Sequence, residues 1–221
     1  MIKAVIFDLD NTVYNYDYCH EKAMHSLQEF ACKKYSLGKE EFYSSFDVAK
    51  RNVKAQLGNT GASHNRLLYM QLFLENINRN PVEDALGLYD RYWDTMLENM
   101  TLFPYVIPLM KYLKENGIKI GVLTDLTAHI QHRKIARLGL TGYIDVLVTS
   151  EEAGQEKPSD IAFNRLIGKF SCLPDEMLMI GDSQAKDIEG ALKVGMKGLL
   201  FSLSQAENME QKVIDYMKDN I

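Results

Sequence analysis

A doubly wound parallel α/β core carrying an inserted all-helical cap is the fold predicted for this 221-residue sequence. Two observations predict it. Short apolar runs without polar alternation recur at residues 2–7, 118–123, 144–148, 177–180 and 198–201, with helical patterns between them. Strands of that kind are buried on both faces, as in a parallel sheet covered by helices. Between residues 17 and 99 no convincing strand appears, and amphipathic helical periodicity takes over. The expected organisation is therefore a core from residues 1–16 and 100–221, with a helical cap from residues 17–99.

The elements follow in order. The first strand is Ile2-Lys3-Ala4-Val5-Ile6-Phe7, and Asp8-Leu9-Asp10-Asn11-Thr12 stands directly behind it. A cap helix is expected from Asp17 towards Tyr35, with Ala23, Leu27 and Phe30 along one stripe. A second follows Lys39. Gly58-Asn59-Thr60-Gly61 reads as a turn. A third spans residues 64–77, and a fourth follows Pro81, a good first-turn residue. Pro104 and Pro108 bracket the return to the core. Core helices are expected at residues 105–116, 128–138, 160–170, 185–194 and 206–219. The whole describes a Rossmann-like core with an insertion after its first strand.

Composition narrows the function. Apolar residues make up 46% and charged residues 25%, an ordinary globular balance. The net charge is −5 and basic residues form no long run. That argues against nucleic acid or an anionic membrane as partner, but not against a small phosphorylated metabolite, which needs only a local positive pocket. Cys19, Cys32 and Cys172 lack CxxC spacing, so a disulfide framework or zinc site is not expected, and they read as small buried hydrophobes. The first strand leaves no room for a signal peptide, and no apolar run approaches the ~20 residues of a membrane span. A soluble, cytoplasmic protein is the expectation.

The chemistry collects at the strand ends, where open parallel sheets bind ligands. The first strand ends in Asp8 and Asp10. The second ends in Thr124-Asp125 and the fourth in Gly181-Asp182-Ser183, with Asp187 a turn further on. Lys157-Pro158 lies between strands three and four. Two carboxylates two residues apart at a buried strand end disfavour joint ionisation unless a cation or a reaction uses them. Hard oxygens such as Asp8 and Asp182 suit Mg²⁺. Thr124 suits donation to a phosphate oxygen, and Lys157 neutralises its charge. A carboxylate can attack phosphorus directly, and its partner can protonate the leaving oxygen and then activate water.

These four motifs, in this order and over the whole chain, resemble the haloacid dehalogenase-like hydrolase superfamily, in the phosphatase branch with a helical cap inserted after the first motif. The resemblance implies Asp8 as nucleophile, Asp10 as general acid and base, and Thr12 as support for their loop. It implies phosphate binding by Thr124 and Lys157. Mg²⁺ is implied on Asp8, the backbone carbonyl of Asp10 and Asp182. Asp187 would orient Lys157 or the metal's waters, beside Ser183. Many relatives carry Asn where this chain has Asp125; Asp125 lies beside the phosphate position or, preferably, caps the next helix. The expected activity is Mg²⁺-dependent hydrolysis of a small phosphate ester through an aspartyl-phosphate, under a cap that excludes bulk water.

Alternatives stay open at this level. A sugar phosphomutase shares the first half-reaction, and His20, near the start of the first cap helix, is its one hint. A 2-haloacid dehalogenase would need neither Asp10 nor Asp182, and a phosphate-binding module with a dead site would not need the full set. His64, Asn65 and Arg66 read as a polar helix start on the surface, with Arg66 suited to a substrate anion. Trp93, Tyr89, Tyr92 and Met96 read as cap packing.

Overall fold

The computed structural model describes residues 1–219 and divides the chain into two compact units. One runs Met1–Asn15 and resumes at Thr101; the other is Tyr16–Met100. The first unit is built on five parallel strands: β1 (Ala4–Phe7), β2 (Lys119–Thr124), β3 (Val146–Thr149), β4 (Met177–Gly181) and β5 (Lys197–Leu200). Their order is β3-β2-β1-β4-β5. β1 lies at the centre, with Phe7 beside Val122 on one side and Ile180 on the other. The chain winds outward from β1 to β3, then returns across β1 to lay down β4 and β5. The winding reverses between β1 and β4, and a crevice at such a point opens outside the strands' carboxyl ends.

Every β1 side chain is fully buried. Strand periodicity turns Ala4 and Ile6 to one face, where they join Phe163, Leu166, Met177 and Met179 in one cluster. Burying a side chain such as Ile6 contributes roughly 1.5–3 kcal/mol. The anchor for the Asp8 loop is thus as fixed as any part of the unit.

The second unit holds α1 (Tyr16–Tyr35), α2 (Lys39–Leu57), α3 (Arg66–Asn76) and α4 (Pro81–Glu98). α1 packs on α4, α4 on α3, and α3 on α2. Phe42, Phe46 and Phe73 fill its centre, the Phe42 and Phe73 rings meeting edge-on at 5.3 Å. α3 starts two residues later than its periodicity predicts. Residues Gly61–His64 form a 3₁₀ turn, and the Asn65 side chain accepts from Leu67 N, capping the helix there. Asn80 caps α4 in the same way, with Pro81 next.

The core helices are α5 (Val106–Glu115), α6 (Ala128–Arg137), α7 (Ser150–Ala153), α8 (Asp160–Ile167), α9 (Glu189–Lys193) and α10 (Met209–Asp219). The single helix expected over residues 185–194 is instead a π-helical turn, Gln184–Ile188, followed by α9. Within the first unit, Tyr14 bridges Leu102 and Phe103 N donates to Val13 O at 2.9 Å, so the chain leaves and re-enters the core at one pinned point. Cys19 is buried as expected, but Cys32 and Cys172 are half-exposed; all three are free thiols. Among the described residues, no helix is long and apolar enough to cross a membrane.

Candidate active site

The loop after β1 is held by backbone bonds before any side chain acts. Asp8 N donates to Ile180 O at 2.9 Å, extending the sheet ladder one residue past the strand. Thr12 N and Val13 N both donate to Leu9 O, and Asn11 sits in the left-handed region at φ 63°. Asn tolerates that conformation better than most residues. Tyr105 donates its hydroxyl to Thr12 O, tying the loop to the residue before α5. Thr12 Oγ1 reaches Asp8 Oδ2 only at 3.5 Å, the long limit of a hydrogen bond.

Asp8 is 6% exposed and meets Lys157 Nζ at 2.6 Å through Oδ1. The same ammonium donates to Asp187 Oδ1 at 2.6 Å. Asp187 also accepts from Ser183 N at 3.0 Å, which locks the turn after β4. The π-helical turn brings Asp187 inward, and Gly181 makes room for it: a Cβ there would collide with the Asp187 carboxylate. Asp8, Asp182 and Asp187 each offer a carboxylate oxygen within 4.8 Å of the others, Asp182 being the exposed member.

Thr124 ends β2 and accepts from Gln131 Nε2 at 2.7 Å. Its own hydroxyl donates to Asp125 O at a long 3.3 Å. The next turn carries Leu126 at φ 88°, a conformation that costs a non-glycine residue of order 1–3 kcal/mol and clusters at functional sites. Asp125 does not cap α6. It lies three residues before that helix begins, and its oxygens accept from Lys157 N at 3.0 Å and Lys186 Nζ at 2.9 Å. The Glu151 carboxylate instead takes Ala128 N at the helix start. Asp125 therefore positions the Lys157 backbone and is neutralised by Lys186.

Asp10 has turned to a different cation. Its two oxygens lie 2.7 and 2.8 Å from Lys134 Nζ, and Tyr14 donates to it at 2.6 Å. Lys134 is fully buried. Sequence reasoning passed over Lys134, Gln131 and Lys186, because each reads as one polar residue on a helix.

Charge balance explains the clustering. Burial pushes the Asp8 carboxyl up to about 8 against the pull of Lys157, and Asp187 and Asp10 add to the rise. Burial and Asp187 also raise Asp182. Burial disfavours the Lys157 ammonium, but Asp187 and Asp8 outweigh it and keep it charged. One ammonium does not balance three carboxylates, so the cluster lacks positive charge. An oxygen-only donor set short of a cation fits Mg²⁺.

The cap candidates lie together in the helical unit. His20 Nδ1 is 2.7 Å from the Tyr92 hydroxyl, and its ring stacks on Tyr16 at 5.5 Å. Arg66 is buried, not on the surface as expected, and donates to His64 O and the Tyr16 hydroxyl, both at 2.8 Å. Burial, then Arg66 and Lys50, pull His20 down to about 4.

Known proteins agree with this architecture. Over 93% of the chain and 87% of the relative, it is 40% identical to the ribulose-1,5-bisphosphate 5-phosphatase of Halopiger xanaduensis. It is 30% identical to the glyceraldehyde 3-phosphate phosphatase of Methanopyrus kandleri, covering 99% of the chain and 92% of that protein. The 2-haloacid dehalogenase of Pseudomonas syringae pv. Tomato shares the fold at a TM-score of 0.72, with 22% identity over 91% of this chain and 86% of that one. A family model described as haloacid dehalogenase-like hydrolase matches residues 5–201. With that match spanning the sheet and every strand-end motif, the chain belongs to the haloacid dehalogenase-like hydrolases.

Proposed function

We propose that this hydrolase is a Mg²⁺-dependent phosphoric monoester hydrolase acting on a small sugar phosphate through an aspartyl-phosphate on Asp8. One observation carries the reading: Lys157 Nζ bridges Asp8 and Asp187 at the end of β1, beside Asp182. Two relatives named as phosphatases of ribulose-1,5-bisphosphate and glyceraldehyde 3-phosphate support a phosphorylated sugar as substrate.

The chemistry follows from the side chains. An Asp8 oxygen attacks phosphorus and the ester P–O bond breaks. The leaving alkoxide takes a proton from Asp10. Asp10, now a carboxylate, takes a proton from water, whose oxygen attacks phosphorus and frees Asp8 and inorganic phosphate. Lys157 offsets charge on the transferring phosphoryl group, and Thr124 donates to one of its oxygens. Asp8 and Asp182, with the backbone carbonyl of Asp10 and with Asp187 alongside, would hold Mg²⁺. The ion supplies charge stabilisation at the phosphoryl oxygens. Lys134, on both Asp10 oxygens, places that carboxylate for the exchange.

The test is phosphate release from a panel of sugar phosphates, including both esters named above, with EDTA or Mg²⁺. Mg²⁺-dependent release is expected, and Asp8→Asn should lower it by several orders of magnitude. Release that survives Asp8→Asn, or none from any ester, overturns the assignment.

A further inference from the structure

α6 carries a polar group that the catalytic steps leave unassigned. Gln131 and Lys134 stand three residues apart on this helix, so they share a face, and both are fully buried within the core unit. Lys134 holds Asp10. Gln131 reaches the end of β2, where its Nε2 donates to Thr124 Oγ1 at 2.7 Å and to Asp125 O at 2.5 Å.

The amide is engaged at one end. Among the described residues, Gln131 Oε1 is buried and has no hydrogen-bond partner. An orphaned buried acceptor is costly and uncommon in a native protein, so it asks for a reason. Turning the amide over does not relieve it, because its oxygen would then stand against the Asp125 carbonyl, acceptor to acceptor. The donor end is therefore fixed towards Thr124 and Asp125.

The consequence falls on the Thr124 hydroxyl, which has one hydrogen to give. Gln131 fills an acceptor position on Thr124 Oγ1, so that hydrogen needs an acceptor elsewhere. It finds Asp125 O, near the upper limit of hydrogen-bond length at 3.3 Å. The same carbonyl already takes the much shorter bond from Gln131. The hydrogen is thus held by the weaker of two bonds to one carbonyl. A charged phosphoryl oxygen is a stronger acceptor than a carbonyl so engaged.

We propose that Gln131 is a positioning residue for phosphate binding. By filling the acceptor side of Thr124 and the carbonyl that competes for its hydrogen, it commits the Thr124 hydroxyl to donate to a phosphoryl oxygen. The proposal rests on the reading that Thr124 binds the phosphoryl group. Without the amide, Asp125 O is free to draw the Thr124 hydrogen into a shorter bond and keep it from the ligand. One buried face of α6 then places both the phosphate donor, through Gln131, and the acid–base carboxylate, through Lys134.

The experiment titrates inorganic phosphate into the full chain by calorimetry with Mg²⁺ present. It compares the wild type, Gln131→Met, Thr124→Val and the double variant. Each single variant should weaken phosphate binding by about tenfold, the scale of one hydrogen bond to a charged group. The double variant should bind no more weakly than Thr124→Val alone, because the amide acts through that hydroxyl. A residue that merely supports the fold would weaken binding in both backgrounds alike. Should Gln131→Met fail to fold, Gln131→Glu keeps the length of the side chain, offers acceptors where the amide offers donors, and carries the same expectation. Losses that add fully in the double variant overturn the positioning role. No turnover is needed, so the two readings fail separately. Phosphate affinity that depends on Thr124 but not on Gln131 overturns the inference and leaves the phosphatase reading standing. Affinity indifferent to Thr124 overturns the inference together with the phosphate-binding role of Thr124.

Discussion

Asp10 and Lys134 show how far one residue's role depends on a partner remote in sequence. Lys134 is wholly buried and spends its charge on Asp10. Lys134→Met leaves Asp10 with Tyr14 as its remaining side-chain donor and removes the cation that places it. We expect kcat to fall by roughly tenfold to a hundredfold with little change in KM, the scale of a misplaced acid–base group. An unchanged kcat in steady-state assays would take Lys134 out of that role. His20 gives a prediction at the same scale. Burial, Arg66 and Lys50 hold it near 4 in the folded protein against 6.5 in a free chain. Between those values the unfolded chain binds more protons, so stability is at its full value above about pH 6.5. It is lost as pH falls towards 4, by at most about 3 kcal/mol. Urea midpoints should drop across that window, and His20→Gln should flatten the drop.

At the scale of elements, the π-helical turn after β4 carries the site. It brings Asp187 inward against Gly181, where the carboxylate meets both Lys157 Nζ and Ser183 N. Gly181→Ala places a methyl group in the space of that carboxylate. We expect a loss of about 2 kcal/mol or more in chemical denaturation, the range of overpacked cores, and a fall in activity because Lys157 loses its brace. Stability and activity equal to wild type would show that the turn relaxes without cost. This turn also marks where sequence reading stops. The strands were legible because a buried parallel strand must be continuously apolar, and each site carboxylate follows one. The split of residues 185–194 was not legible, because the 3.6-residue period is satisfied there and Lys157, which helps hold Asp187 inward, is distant in sequence. Asp125 looked like a helix cap for the same reason: capping is local, whereas its bonds to Lys157 and Lys186 are tertiary. Arg66 was read as a surface residue because periodicity cannot report a guanidinium sealed among tyrosines.

For the whole molecule, a Mg²⁺ ion held by the carboxylate cluster, as proposed, would link stability to metal. A ligand that binds only the folded chain stabilises it by mass action, roughly 2.7 kcal/mol at a hundredfold excess over Kd. In a domain of this size each kcal/mol moves Tm by about 2–4 °C. Millimolar Mg²⁺ should therefore raise the Tm of the wild type by several degrees and that of Asp182→Asn by much less. A wild-type Tm indifferent to Mg²⁺ would remove the metal from this cluster.

The pinned crossing between Val13 and Phe103 has a consequence for how such a chain can change. The bond between those two residues lies inside the core unit, and the whole of Tyr16–Met100 departs and returns through it. The distance the inserted segment must span is thus set by the core and not by the segment's own length. The entropy of closing a longer excursion rises only logarithmically, about 0.6 kcal/mol per doubling. A lengthened, shortened or exchanged helical segment then leaves the sheet register and the strand-end carboxylates where they are. The junction acts as a socket, and the catalytic half can be kept while the inserted half is swapped like a cassette.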